Sequence, residues 1–140
     1  GANTTLGRFP GAAADGRLGK EPMANGTNPA SGTDTNGGTA MLNSLVKLDT
    51  HNHAGAVQNM KFSRDLFNRR RDILKSLLAT YFDNGGAQAM ITVVSRDELE
   101  QAMLHPEKYR HIMVRVGGFS ARFVTLAPDV QREIAGRTLY

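Results

Sequence analysis

The sequence predicts an α/β fold built from parallel β-α units. Three observations lead to it. From residue 56 onward, strand-like and helix-like segments alternate, the order that lays helices against a mostly parallel sheet. Ala87 to Val94 is nearly all apolar and turns β-branched toward its end, as in a strand covered on both faces. Between these strands, Leu66, Phe67, Ile73, Leu74, Leu77, Leu78, Tyr81 and Phe82 recur at three- and four-residue steps, which places them on one face of a long helix.

Taken in order, residues 1–38 are rich in Gly, Ala, Asn, Thr and Pro and show neither period. They are expected to be an irregular segment that wraps a larger body, and to be poorly ordered in the isolated chain, because little apolar surface offsets the ordering entropy. Residues 39–140 are expected to form the folded domain. Gly26, Gly32, Gly37 and Gly38 make no phosphate loop, since the lysine and helix that complete one are missing. Thr39 to Lys47 reads as a short helix and Ala56 to Phe62 as a strand. Ser63 can cap the long helix, and Gly85 is its natural stop. Ser95-Arg96-Asp97-Glu98 fits a capping box, in which Ser and Glu satisfy each other's free N–H groups. That helix ends near His105-Pro106. Ile112, Val114 and Val116 alternate with Met113 and Arg115 as in a strand. Pro128 opens a last helix with Val130 and Ile134 facing inward.

Composition narrows the functional classes. The 140 residues carry a formal charge of +4, and only Arg69-Arg70-Arg71 gathers positive charge, so a nucleic-acid partner is not expected. No run approaches the length of a membrane helix, and no secretion signal opens the chain. Residue 1 is Gly rather than Met, and the chain is expected to be a fragment, a processed chain or one chain of a split enzyme. Cysteine is absent, which removes disulfides and thiolate metal sites. The six methionines read as core filler. Asp97, Glu98 and Glu100 suit a helix start better than an acid/base pair, and Gly118-Phe119-Ser120 lacks the nucleophile-elbow pattern. His51 and His53 could share a metal from one side of a strand end, as in a metal-dependent hydrolase. The further ligands such an enzyme needs are not convincing: His105 and His111 sit near a Pro turn and a strand start, and no later Asp is suitably placed, so no bound metal is expected.

The most informative stretch is His111 to Phe123. Its strand period stops at Gly117-Gly118. A glycine pair ordinarily marks a sharp turn. It can also do chemistry: a radical left by loss of one Cα hydrogen is stabilised by the amide nitrogen on one side and the carbonyl on the other. That centre is planar, and a Cβ would crowd it.

Arg115-Val116-Gly117-Gly118-Phe119 resembles the Arg-Val-x-Gly-[Tyr/Phe] signature of the glycyl radical enzymes, the pyruvate formate-lyase-like family. His105-Pro106-Glu107-Lys108-Tyr109, Gln131 to Thr138, and Glu21-Pro22 through Asp49 resemble the same family's C-terminal end, so the resemblance covers nearly the whole chain. It implies that Gly118 carries the radical, with Arg115, Val116 and Phe119 supporting and presenting the loop. It implies the last part of a ten-stranded barrel, with the radical glycine on a hairpin loop thrust inside. The resemblance further implies that the glycyl radical is post-translational, installed by a radical S-adenosylmethionine activating enzyme with an iron–sulfur cluster, and that this chain needs no bound small-molecule cofactor. The stored radical takes a hydrogen from a cysteine, which must lie on the remainder of the enzyme, and the resulting thiyl group acts on a small-molecule substrate. A homodimer of the full enzyme in an anaerobic cytoplasm follows. The tail resembles the dehydratase and decarboxylase branches more than pyruvate formate-lyase itself, and a dehydratase is favoured over a decarboxylase or a carbon–carbon lyase. The rival within the family is a free-standing radical-domain subunit that docks on and repairs a damaged enzyme.

Overall fold

The computed structural model describes residues 2–50, 52 and 56–140. Helix α1 (Ala2–Gly7) opens the chain, which corrects the expectation that residues 1–38 hold no regular structure. The helix closes at Gly7, where a Cβ would meet the Glu21 carbonyl oxygen at 2.3 Å, so only glycine admits the returning backbone. Residues 8–36 are turns and irregular backbone. They are tied to the body mainly by polar side chains. Arg8 pairs with Asp129, and Asn28 donates to the Asn59 carbonyl at 2.6 Å. Asp34 accepts from Thr138 at 2.6 Å and from the Tyr140 hydroxyl, two bonds that hold its carboxyl below its ordinary pKa against the opposing effect of burial.

Helix α2 (Gly37–Leu45) and strand β1 (Asn59–Phe62) follow. The single long helix expected after Ser63 is two: α3 (Arg64–Arg69), capped by Ser63, and α4 (Arg71–Asp83). Arg70, at φ −133° and ψ 48°, breaks them. Neither Gly nor Pro marks this point. Three guanidiniums gather here: Arg69 at the C-terminus of α3, where positive charge is favourable, Arg70 between the helices, and Arg71 at the start of α4. Arg69 pairs with Asp65 at 2.9 Å and Arg70 with Asp72 at 3.4 Å. Arg71 lies 5.0 Å from the Phe67 ring centroid and donates to the Phe67 carbonyl at 3.3 Å. The apolar face is only partly covered: Leu74 and Tyr81 are buried, whereas Phe67, Ile73 and Phe82 are exposed.

Strand β2 (Met90–Val93) pairs in parallel with β1, Asn59 opposite Met90 and Phe62 opposite Val93. Helix α5 (Arg96–Leu104) begins with the expected Ser95/Glu98 capping box. The expected third parallel strand behaves differently. Strand β3 (Met113–Arg115) turns back into β4 (Ser120–Arg122), and the two pair antiparallel. Among the described residues the strands form two separate two-stranded sheets. A 3₁₀ turn (Phe123–Thr125) leads to α6 (Pro128–Gly136), which buries Ile134. The tail then returns beside β1: Lys61 bridges Leu139 in parallel, and Tyr140 N–H donates to the Lys61 carbonyl at 2.9 Å. No described helix is long and apolar enough to cross a membrane.

Two apolar clusters hold these pieces. One joins Val94, Leu99, Ala102, Ile112, Val114, Val116, Phe123 and Ile134 beneath the hairpin, with Val130 packed at its edge. The other joins Met41, Leu42, Met60, Phe62, Leu74 and Tyr81.

Lys61 is an exception in the interior. It is 3% exposed, and its Nζ donates to the Ile134 and Ala135 carbonyls at 3.3 and 2.9 Å, near the C-terminus of α6. Burial, then Arg96 and Arg137, lower its pKa to about 8, with Glu133 opposing. The folded state therefore holds fewer protons than the unfolded chain between about pH 8 and the ordinary lysine value of 10.5. Stability should rise with pH across that window, and the cost of charging Lys61 is fully present below it. Tyr81 and Tyr140, both raised by burial, do not work against this below their ordinary value of 10.0. Denaturant midpoints measured from pH 7 to about 9.5 should climb, and Lys61→Met should flatten the slope. A midpoint independent of pH in the unsubstituted protein would show that Lys61 stays charged without cost.

Candidate functional site

The hairpin between β3 and β4 ends in a two-residue tip, Gly117-Gly118. Arg115 faces Ser120 across the ladder, and Val116 N–H donates to the Phe119 carbonyl at 3.0 Å. Gly118 has φ +87°, in the left-handed region that L side chains rarely adopt. Gly117 is not in that region. Ile112, Val114 and Val116 root the hairpin in the core, each 3% exposed or less. The tip itself is open: Gly117, Gly118, Phe119 and Ser120 are exposed.

At Gly118, nothing lies within 4 Å of the place a Cβ would occupy. One of the two Cα hydrogens therefore points into open space. The flanking amide and carbonyl supply the conjugation that a carbon-centred radical needs. Sequence-identified Arg115, Val116, Gly118 and Phe119 all come together on this one hairpin. Arg115 reaches along its face to donate to Ser120 Oγ at 3.0 Å. Phe119 is 53% exposed, so it is not a core aromatic of this chain.

Further groups hold the hairpin and were missed in the sequence. Arg137, just beyond α6, donates from Nη1 to the Arg115 carbonyl at 3.0 Å and from Nη2 to the Val116 carbonyl at 2.9 Å. Glu133 grips the same guanidinium with both oxygens, at 3.0 Å from Nε and 2.9 Å from Nη2. Their side chains are 14% and 5% exposed. The i,i+4 spacing of Glu133 and Arg137 was the available signal, but it marks surface pairs equally well. Asn25 Nδ2 donates to the Val116 carbonyl at 3.4 Å and its Oδ1 accepts from Asn59 at 3.2 Å; nothing in the sequence marks it. Met90, assigned to the core, is buried on β2, yet its Sδ accepts the Gly118 N–H at 3.3 Å.

His51 and His53 lie outside the described residues. Among the described residues, no group of three or more His, Asp or Glu side chains is gathered to hold a metal. His105 is paired loosely with Glu107 at 3.9 Å.

Comparison with known proteins gives the chain its relatives. The family described as "Glycine radical" matches residues 23–124. The chain is 40% identical to "Probable dehydratase YbiW" of Escherichia coli (strain K12), over 98% of its own length and 17% of that protein's. It is 38% identical to the indoleacetate decarboxylase of Tractidigestivibacter scatoligenes, over 96% of its length and 16% of the relative's. Its fold superposes on the glycerol-bound, B12-independent glycerol dehydratase of Clostridium butyricum with a TM-score of 0.93 at 36% identity, covering 99% of this chain and 18% of that one. The chain thus spans about a sixth of the length of these relatives, and with the family matched through the glycine hairpin and over most of its residues, it belongs to the glycyl radical enzyme family.

Proposed function

We propose that this chain is the C-terminal, glycyl-radical-bearing portion of a glycyl radical lyase and that the radical resides on Gly118. The observation that carries the assignment is the conformation of that residue. Gly118 sits at a hairpin tip with a positive φ and one Cα hydrogen facing open space. Once installed, the radical supplies hydrogen-abstraction chemistry. The chain's own residues hold and aim the glycine: Val114 and Val116 anchor the strand, Arg115 stiffens the hairpin face, and Phe119 offers an apolar surface beside the tip. The hairpin's exposure requires a cover that excludes water and oxygen and brings a cysteine into line. The remainder of a ten-stranded barrel would supply both, in a homodimer of the full enzyme, after activation by a radical S-adenosylmethionine enzyme with its iron–sulfur cluster.

A dehydratase is the favoured activity, because dehydratases are prominent among the similar proteins. A decarboxylase or carbon–carbon lyase is the alternative, and the decarboxylase relative supports keeping it. The test is electron-spin resonance of the anaerobically activated protein. A signal split by one Cα hydrogen should appear and collapse toward a single line when glycine is deuterated at Cα. Activation by a cognate enzyme that yields no such signal would end this reading. A native mass near 15.2 kDa in the source cell would replace it with a free-standing radical subunit.

A further inference from the structure

β2 and β3 lie side by side, yet no backbone ladder joins them. Two side chains from one face of β2 provide the tie. Thr92 Oγ1 accepts the Arg115 N–H at 3.0 Å, and Met90 Sδ accepts the Gly118 N–H at 3.3 Å. Residues two apart on a strand project to the same side, so β2 presents these two acceptors as a row. Both are buried, at 8% and 6% exposure. The Thr92 bond fixes the strand at the base of the loop. The Met90 bond fixes the tip.

The Met90 contact falls on the amide group that conjugates with the Gly118 Cα. Delocalisation onto that nitrogen requires the amide plane and the radical plane to coincide. At φ +87° the two planes do not coincide in the resting hairpin, so the Cα must turn as the radical forms. A two-glycine tip does little to hold the amide still meanwhile, since glycine's torsions are the least restricted. Arg137 and Asn25 hold the carbonyls of Arg115 and Val116, one peptide or more before Gly118. Among the described residues, the thioether is the side-chain partner at the Gly118 amide itself. Sulfur is a weak acceptor, but it is polarisable and sits on a buried strand rather than on a loop.

We propose that Met90 is a positioning residue for the radical: its thioether accepts the Gly118 N–H and sets the amide plane into which the unpaired electron spreads. This rests on the assignment of the radical to Gly118. Met90 does not exchange atoms or electrons with the glycine.

A packing role and a positioning role make opposite forecasts for two variants. Leu preserves the apolar volume and removes the acceptor. Gln has a similar length, places a polar group on a buried strand, and retains an acceptor oxygen. If Met90 only fills the core, Met90→Leu should be near normal and Met90→Gln poor. If Met90 positions the amide, Met90→Leu should lower radical yield or lifetime by about three- to tenfold, the equivalent of one lost hydrogen bond, and broaden the Cα-hydrogen splitting. Met90→Gln should recover most of that loss. The experiment is electron-spin resonance of the full activated protein and both variants under identical activation. Selenomethionine enriched in the magnetic selenium isotope adds a direct readout in the unsubstituted protein. The Gly118 radical should show a selenium coupling in the labelled unsubstituted protein, and none in labelled Met90→Gln. Normal yield, lifetime and splitting in Met90→Leu, or absence of selenium coupling, would overturn the role of Met90 while leaving the radical assignment intact. Absence of any radical in the unsubstituted protein would overturn the assignment on which it rests.

Discussion

Gly118→Ala is expected to abolish the glycyl signal entirely, and Gly117→Ala to preserve it. The two glycines are adjacent but not equivalent. Gly118 has φ +87°, where an L-alanine is strained by about 1–2 kcal/mol. That is well below the stability of an ordinary domain, about 5–15 kcal/mol, so the variant should fold. There is also room for the methyl, because nothing stands within 4 Å of it. The loss is therefore chemical. An L-alanine methyl takes the direction of the hydrogen that faces open space. It also crowds the planar centre. At Gly117 the backbone is outside the left-handed region, and a methyl would meet only Asn25 Oδ1 at 3.7 Å, an ordinary contact. Oxygen admitted after activation should cut the backbone at Gly118 and release a piece beginning near Phe119, visible by gel and mass measurement. A signal persisting in Gly118→Ala, or a cut that maps to Gly117, would move the radical to the other glycine.

Much of this architecture was legible because the relevant signals are local. Ser95 and Glu98 make the capping box their spacing announces, and Ser63 caps a helix. The alternation of Ile112, Val114 and Val116 became three buried positions on one face. The misses are of two kinds: some lie in local conformations that no spacing rule marks, and some depend on partners far away in the chain. Nothing near Arg70 says that a helix must stop there, and the exposed pairing of three arginines with Asp65, Asp72 and Phe67 accompanies the stop without accounting for it. The strand after α5 was expected to extend a parallel sheet, but the glycine pair reverses it before it can. At the site, the signature residues were readable as a contiguous motif. Met90, Asn25 and Arg137 reach the same loop from three other segments, and no spacing rule connects them to it. Met90 shows the difficulty most plainly, since a buried methionine on a strand has the same sequence appearance whether its sulfur is idle or engaged.

Arg137→Ala should be the most destabilising single change near the site, at about 3 kcal/mol or more. Three losses coincide. Glu133, 5% exposed, keeps its charge without the guanidinium that grips it through two oxygens. The Arg115 carbonyl loses its guanidinium donor. The Val116 carbonyl retains only the longer Asn25 bond, at 3.4 Å. Arg137→Lys should recover little, because an ammonium lacks the flat fork that meets a carboxylate and two carbonyls at once. Glu133→Gln combined with Arg137→Ala should be less harmful than Arg137→Ala alone, since it removes the buried charge that would otherwise be unpaired. Loop order should fall with stability: hydrogen exchange at the Val116 amide, which is bonded to the Phe119 carbonyl, should accelerate more than at the Leu99 amide within α5. Met90→Leu provides the contrast, since it should leave the unfolding midpoint nearly unchanged and act only at the glycine. Denaturant unfolding of the four variants decides the matter. A loss under about 1 kcal/mol for Arg137→Ala, the size expected of a solvated surface pair, would show that the guanidinium does not clamp the strand beneath Gly118.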